Sequence, residues 1–131
     1  QIMSDKFTIE IITPYKTILN SEVSEVTIPS FEGQMGILKD HIPLITFLRP
    51  GIIVINNKEE KRYFVEEGTV EFSNNNLLIL TSTAKDLKNF EKKTVNELIE
   101  QAEKKLKNSG LSDKDKYIIS YKIDTLKEIN Q

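Results

Sequence analysis

The chain has no cysteine, a single histidine at His41, and arginine only at Arg49 and Arg62. Without cysteine there can be no disulfide framework, thiolate metal site or thiol catalysis. One imidazole leaves no histidine pair for metal binding or acid–base work. No apolar run approaches the roughly 20 residues needed to span a bilayer. The first residues lack the basic and apolar regions of a signal peptide. Met3-Ser4-Asp5-Lys6 reads as a natural start, with Gln1 and Ile2 as foreign additions before it. The formal net charge of −2 argues against general nucleic-acid binding.

What is present divides into two halves. The 131 residues suffice for one domain, or a small domain with an appendage. Hydrophobic content is 38% and charged content 29%, so much of the surface must be solvated or held by partners. From residue 7 to about 84 the pattern is β. Phe7-Thr8-Ile9-Glu10-Ile11 alternates apolar and polar, as a half-buried strand does. Pro14-Tyr15 makes a turn, and 16–21 and 23–29 read as strands with Val26 and Ile28 on one face. Gly51-Ile52-Ile53-Val54-Ile55 suits a strand covered on both sides. A hairpin tip at 56–60 leads back through 61–67. A last hairpin turns at Asn74-Asn75-Asn76, where asparagine tolerates left-handed backbone. Many short strands at near-regular spacing predict a sandwich or flattened barrel.

From about Phe90 the period becomes helical. Thr94-Val95-Asn96-Glu97 reads as a capping box. Val95, Leu98, Ile99, Ala102 and Leu106 form one stripe. Gly110 is placed to end this helix as a left-handed cap. Ser112-Asp113 opens a second helix with Ile118, Ile119, Ile123, Leu126 and Ile129 on its apolar side. The spacing predicts helices over about 94–108 and 112–129, joined as an antiparallel hairpin. Two helices alone bury too little surface to offset backbone ordering, so the hairpin must lean on the sandwich or on a partner. The expected fold class is α+β: an N-terminal antiparallel β-sandwich over 1–86, then a C-terminal antiparallel two-helix hairpin over 87–131.

No reaction chemistry emerges. The serines lack a nucleophile-elbow setting. Glu59-Glu60 and Glu66-Glu67 are neighbours that a strand sends to opposite faces. Gly33 and Gly36 are not followed by the Lys-Ser/Thr of a phosphate loop. No metal-ligand spacing occurs, and no catalytic residue, cofactor or metal is assigned. The lysines of the tail fit either a solvated helical face or an arm aimed at an acidic partner.

The segments ITP at 12–14, VTIPSFEGQMGILKDHIPLITFLRPG at 26–51 and EEGTVEFSNNNLLILTSTA at 66–84 resemble the epsilon subunit of bacterial F-type ATP synthase. The same family holds the chloroplast epsilon and mitochondrial delta subunits. The resemblance runs from about Phe7 to Ala84, with a two-helix tail following where the family has one. It implies a non-catalytic rotor subunit of the central stalk of a proton-translocating synthase, coupling rotation of the membrane c ring to ATP synthesis. It also implies a peripheral membrane protein on the cytoplasmic face of the bacterial plasma membrane, without direct membrane insertion. The implied partners are the gamma subunit, the c-subunit ring and, through the hairpin, the alpha/beta catalytic head.

Position by position, His41, with Pro43 and Leu44, falls on the gamma side. Glu32, Gln34 and Met35 fall on the c-ring side, and relatives often carry an acidic residue where Gln34 stands. The hairpin of many relatives inhibits ATP hydrolysis. Lys104, Lys105, Lys107, Lys114, Lys116 and Lys122 are the candidate inhibitory contacts, and removal of the chain after Phe90 is then expected to raise hydrolysis. Some relatives bind ATP through Ile/Leu-Asp-x-x-Arg-Ala. Here Asn96, Ile99 and Glu100 replace its aspartate, arginine and alanine, so no ATP binding is expected. Two other classes compete with this reading. One is a stand-alone β-sandwich binding module with a helical dimerisation arm through Leu98, Ile99 and Ile123. The other is a small enzyme or ligand carrier.

Overall fold

The computed structural model describes residues 5–130. The proposed start at Met3, with Gln1 and Ile2 before it, lies outside them. Ten strands come first: β1 (Phe7–Ile12), β2 (Thr17–Val23), β3 (Glu25–Ser30), β4 (Gly33–Leu38), β5 (Leu44–Leu48), β6 (Gly51–Asn56), β7 (Glu60–Val65), β8 (Gly68–Ser73), β9 (Asn76–Thr81) and β10 (Ala84–Asp86). A single 3-10 turn, Leu87–Asn89, leads to helices α1 (Lys92–Leu106) and α2 (Asp113–Ile129). The α+β class and the two-helix tail are as expected.

The strand order is β10-β7-β6-β3-β5-β8-β9-β1-β2, with β4 also on β3. Among the described residues every ladder is antiparallel except β1 with β9, which run parallel. Alternation explains the layers. Phe7, Ile9 and Ile11 of β1 point inward, as do Val26 and Ile28 of β3, Ile53 and Ile55 of β6, and Leu77 and Ile79 of β9. Together they seal one apolar interior, in which Phe7 meets Phe72 edge-on at 5.6 Å. The two layers meet at a corner where Ser30 of β3 pairs with Leu48 of β5.

Turn chemistry follows local sequence where the sequence is permissive. Asn74 and Asn75 both have positive φ, 51° and 59°, as a two-residue hairpin turn requires. Gly33 (φ 119°) closes the tight turn after β3.

Helix α1 departs from expectation at both ends. α1 starts at Lys92, not at Thr94, and its N-cap residue Glu91 makes no side-chain cap bond. The capping box does not form because a tertiary contact wins. Phe90 and Val95 flank the start as a hydrophobic staple, both packed in the cluster around Phe64. At the other end, α1 stops at Leu106. Lys107 and Asn108 donate to the carbonyls of Lys104 and Lys105, a tightened last turn that needs no left-handed residue. Gly110 accordingly lacks positive φ and is not the cap. α2 opens as expected, with the Ser112 hydroxyl accepting from the Asp115 N–H at 3.1 Å.

Gly68 sits where β7 passes to β8, and a Cβ there would lie 2.1 Å from the Leu80 carbonyl oxygen. Gly68→Ala is therefore expected to lower the unfolding free energy by about 1–3 kcal/mol in urea titration. Gly36→Ala, with nothing within 4 Å, is expected to change it far less.

Candidate functional site

Three surfaces hold the residues singled out above. The first is the β4–β5 loop. His41 is half-buried, with its ring edge-on to Phe72 at 5.9 Å. Its Nδ1 lies 2.8 Å from the Ile42 carbonyl oxygen, which can only accept, so Nδ1 carries the proton. Asp40 (φ 66°) fixes the loop from the far side. Its N–H donates to the Asn75 amide oxygen at 2.7 Å, and the Asn75 amide returns a bond to its carboxylate at 3.0 Å. The loop is thus clamped to the β8–β9 turn. Pro43 is exposed, whereas Leu44 packs against the core and is only partly accessible.

Next to this loop lies an apolar surface that the sequence reading missed. Ile42, Ile45 and Phe47 are 74%, 76% and 60% exposed, and Leu80 is 44% exposed. Cross-strand register aligns Phe47, Thr69, Leu80 and Ile12 in one row on the outer face of β5, β8, β9 and β1. A second row holds Ile45, Glu71, Leu78 and Glu10. Alternation in Leu44–Leu48 was the available signal: one face of that strand must point away from the core.

The second surface is the β3–β4 turn. The buried Ser30 hydroxyl donates to the Gly33 carbonyl at 2.7 Å and accepts from the Glu32 N–H at 3.2 Å. Glu32 and Gln34 point outward, but Met35 faces the core opposite Ile28. The structure therefore does not group these three residues. Phe31, at the tip of the turn, carries the larger apolar surface, and its ring stacks on Tyr117 of α2 at 5.7 Å. Tyr117 meets Tyr121 at 4.7 Å, and the Arg49 guanidinium lies 4.1 Å above the Tyr121 ring.

The third surface is the hairpin. Lys104, Lys105, Lys107, Lys114 and Lys116 are exposed around its loop end. Lys122 is not among them, because it pairs with Glu66 of the sandwich at 2.9 Å. Asn96 accepts from Asn130 at 2.6 Å, and Ile99 packs with Phe64, Val95 and Leu126. Both residues hold the hairpin together and against the sandwich. Ile123 is buried and Leu98 and Ile99 are partly buried against the chain itself, which leaves little of their apolar surface for a dimerisation arm.

No reactive constellation accompanies these surfaces. Among the described residues there is no group of three or more histidine, cysteine, aspartate or glutamate side chains able to hold a metal ion. The Tyr63 hydroxyl has its pKa raised by burial and then by the Asp86 carboxylate. Tyr117 is raised first by its hydrogen bond with Tyr121. Both stay protonated near neutrality and supply no base. No helix among the described residues is long and apolar enough to cross a membrane.

Residues 6–86 match the family model for the ATP synthase delta/epsilon chain, beta-sandwich domain. The chain belongs to the ATP synthase delta/epsilon family. It is similar to an ATP synthase epsilon chain of Pelagibacter ubique, with 52% identity over 130 residues, covering 98% of this chain and all of that one. A chloroplastic epsilon chain of Gracilaria tenuistipitata is 36% identical over 109 residues, 82% of this chain and 81% of the relative. The mitochondrial delta subunit of Schizosaccharomyces pombe is 34% identical over 110 residues, 81% of this chain and 66% of the relative. The fold recurs in a chain of the Euglena gracilis mitochondrial ATP synthase, with a TM-score of 0.79, 19% identity, and coverage of 100% of this chain and 85% of that one. It recurs in the Tetrahymena thermophila mitochondrial ATP synthase central stalk and c ring, with a TM-score of 0.66, 17% identity, and coverage of 99% and 100%. As a delta/epsilon chain, this is a non-catalytic subunit of the synthase.

The hairpin is held by unequal forces. Leu126 is fully buried against Phe64 and Val95, whereas Lys122 and Glu66 keep 23% and 21% of their side-chain exposure. Leu126→Ala is expected to cost about 2–5 kcal/mol of hairpin docking, seen as lost hydrogen-exchange protection in α2. Lys122→Ala is expected to cost about 1 kcal/mol or less.

Proposed function

We propose that this chain is a rotor subunit of the central stalk of a proton-translocating F-type ATP synthase. In this reading its sandwich binds the gamma subunit and the c ring and passes c-ring rotation to ATP synthesis. It works as a peripheral protein on the cytoplasmic face of a bacterial plasma membrane. The observation that carries the reading is the outer apolar surface of Ile42, Ile45, Phe47 and Leu80 on a rigid sandwich, beside a loop clamped at Asp40 and Asn75. A patch of this kind suits a protein–protein contact. Gamma is its occupant in this reading, with His41 and Pro43 at its margin, and Glu71 and Glu10 within the second row suit a basic rim on the partner. Glu32 and Gln34 of the β3–β4 turn meet the polar loops of the c ring.

The hairpin acts as a brake on ATP hydrolysis through Lys104, Lys105, Lys107, Lys114 and Lys116, whose exposure suits an acidic segment of the catalytic head. Lys122 has a structural role in the folded hairpin. No ATP site is proposed, since Asn96 and Ile99 are occupied in packing the hairpin.

Ile45→Glu should leave the sandwich folded, because the side chain is already exposed, yet weaken gamma binding at least tenfold in a titration. Lys58→Glu, at the remote β6–β7 tip, should bind like the unaltered chain. Equal binding by Ile45→Glu would remove this face from the gamma contact. Replacing Lys104, Lys105 and Lys107 with glutamate should raise ATP hydrolysis by the assembled complex several-fold, and unchanged hydrolysis would contradict the brake.

A further inference from the structure

The β3–β4 turn and the hairpin share a side chain. Phe31, at the tip of the turn, is 36% exposed, and its ring lies nearly parallel to Tyr117, at 17° between planes. Tyr117 leads to Tyr121 and then to Arg49. Arg49 in turn donates its backbone N–H to the Pro29 carbonyl at 3.1 Å, two residues before Phe31. A closed circuit therefore runs from the turn to α2 and back to the strand that bears the turn.

The backbone of the turn is already set by the Ser30 hydroxyl. What α2 adds is a fixed position for the Phe31 ring. The geometry points to a linkage: the folded hairpin pre-orders the β3–β4 turn for its partner, so hairpin docking and partner binding at the turn strengthen each other. This rests on the assignment of that turn to the c ring. Its size follows from the ordering of one aromatic side chain. Immobilising a side chain on binding weakens affinity by about 3- to 10-fold, a loss that Tyr117 averts when α2 is docked. By reciprocity, the bound partner must hold α2 more firmly by the same factor.

The test uses the full chain and the purified gamma–c-ring subcomplex from the same genome. Affinity is measured for the unaltered chain and for Tyr117→Ala. Hydrogen exchange of α2 is followed in both chains, free and bound. Tyr117 is 39% exposed, so its loss leaves the buried hairpin contacts at Leu126 and Val95 in place. The expected result has three parts. Tyr117→Ala exchanges faster in α2 when free, binds about 3- to 10-fold more weakly, and gains less α2 protection on binding than the unaltered chain. Phe31→Ala should loosen free α2 as Tyr117→Ala does, and the double variant should loosen it little further.

Equal affinity of the two chains, with α2 loosened, overturns the linkage while leaving the stalk assignment intact. Unchanged α2 exchange in free Tyr117→Ala also overturns it, because the stack then holds nothing. Failure of the unaltered chain to bind the subcomplex overturns the stalk assignment itself, and the linkage with it.

Discussion

The corner at Ser30 and Leu48 is the constraint on which the arrangement of this molecule depends. There β3 leaves one layer and meets β5 of the other through a single paired position. Phe31 and Arg49 extend the join, donating their N–H groups to the carbonyls of Phe47 and Pro29. Gly51 admits Pro29 to the same corner, since a Cβ there would lie 2.6 Å from the proline ring. These few bonds contribute modestly to stability, about 1 kcal/mol each. The interior contributes far more, at roughly 1.5–3 kcal/mol for each fully buried isoleucine, leucine or phenylalanine. Burial holds the sandwich together, and the corner decides where its surfaces point. From that corner the β3–β4 turn projects one way, the apolar face of β5 lies on another side, and Arg49 reaches the hairpin.

The hairpin obeys a different balance. Its helices meet each other through Ala102, Ile119 and Ile123, and meet the sandwich mainly through Phe64, Val95 and Leu126. That second cluster is small beside the sandwich interior. Among the described residues the hairpin's docking rests on that small cluster, the Phe31–Tyr117 stack, the Arg49–Tyr121 contact and the Lys122–Glu66 pair, far less than holds the body beneath it. Such an element suits control better than it suits load. The sandwich, sealed on its inside and clamped at its loops, has the opposite character.

Much of this was legible in the sequence, for definite reasons. Period-two alternation in Phe7–Ile12 and the paired asparagines at 74 and 75 give strands and a turn because both are local effects. The hairpin was legible because Val95, Leu98, Ile99 and Ala102 recur at helical spacing. What failed depended on distant contacts. Thr94 looked like a cap until Phe64, far earlier in the chain, drew Phe90 and Val95 together and started the helix sooner. Lys122 looked like a free cation, but Glu66 lies across the interface. Met35 and Leu44 belong to stretches that the family resemblance assigns to partner contacts, yet each takes an inward position on its strand. Ile45 and Phe47 escaped notice because alternation separates two faces without saying which one a neighbour leaves bare. The parallel pairing of β1 with β9 left no local mark at all.

In the proposed reading this sandwich is held by gamma. Co-elution of the full chain with the gamma subunit of the same genome, on size-exclusion chromatography, tests it most directly. A stable one-to-one complex that withstands dilution to micromolar concentration is the predicted result. Separate elution of two folded proteins would contradict it, and would leave the apolar face of β5 and β9 to some other partner.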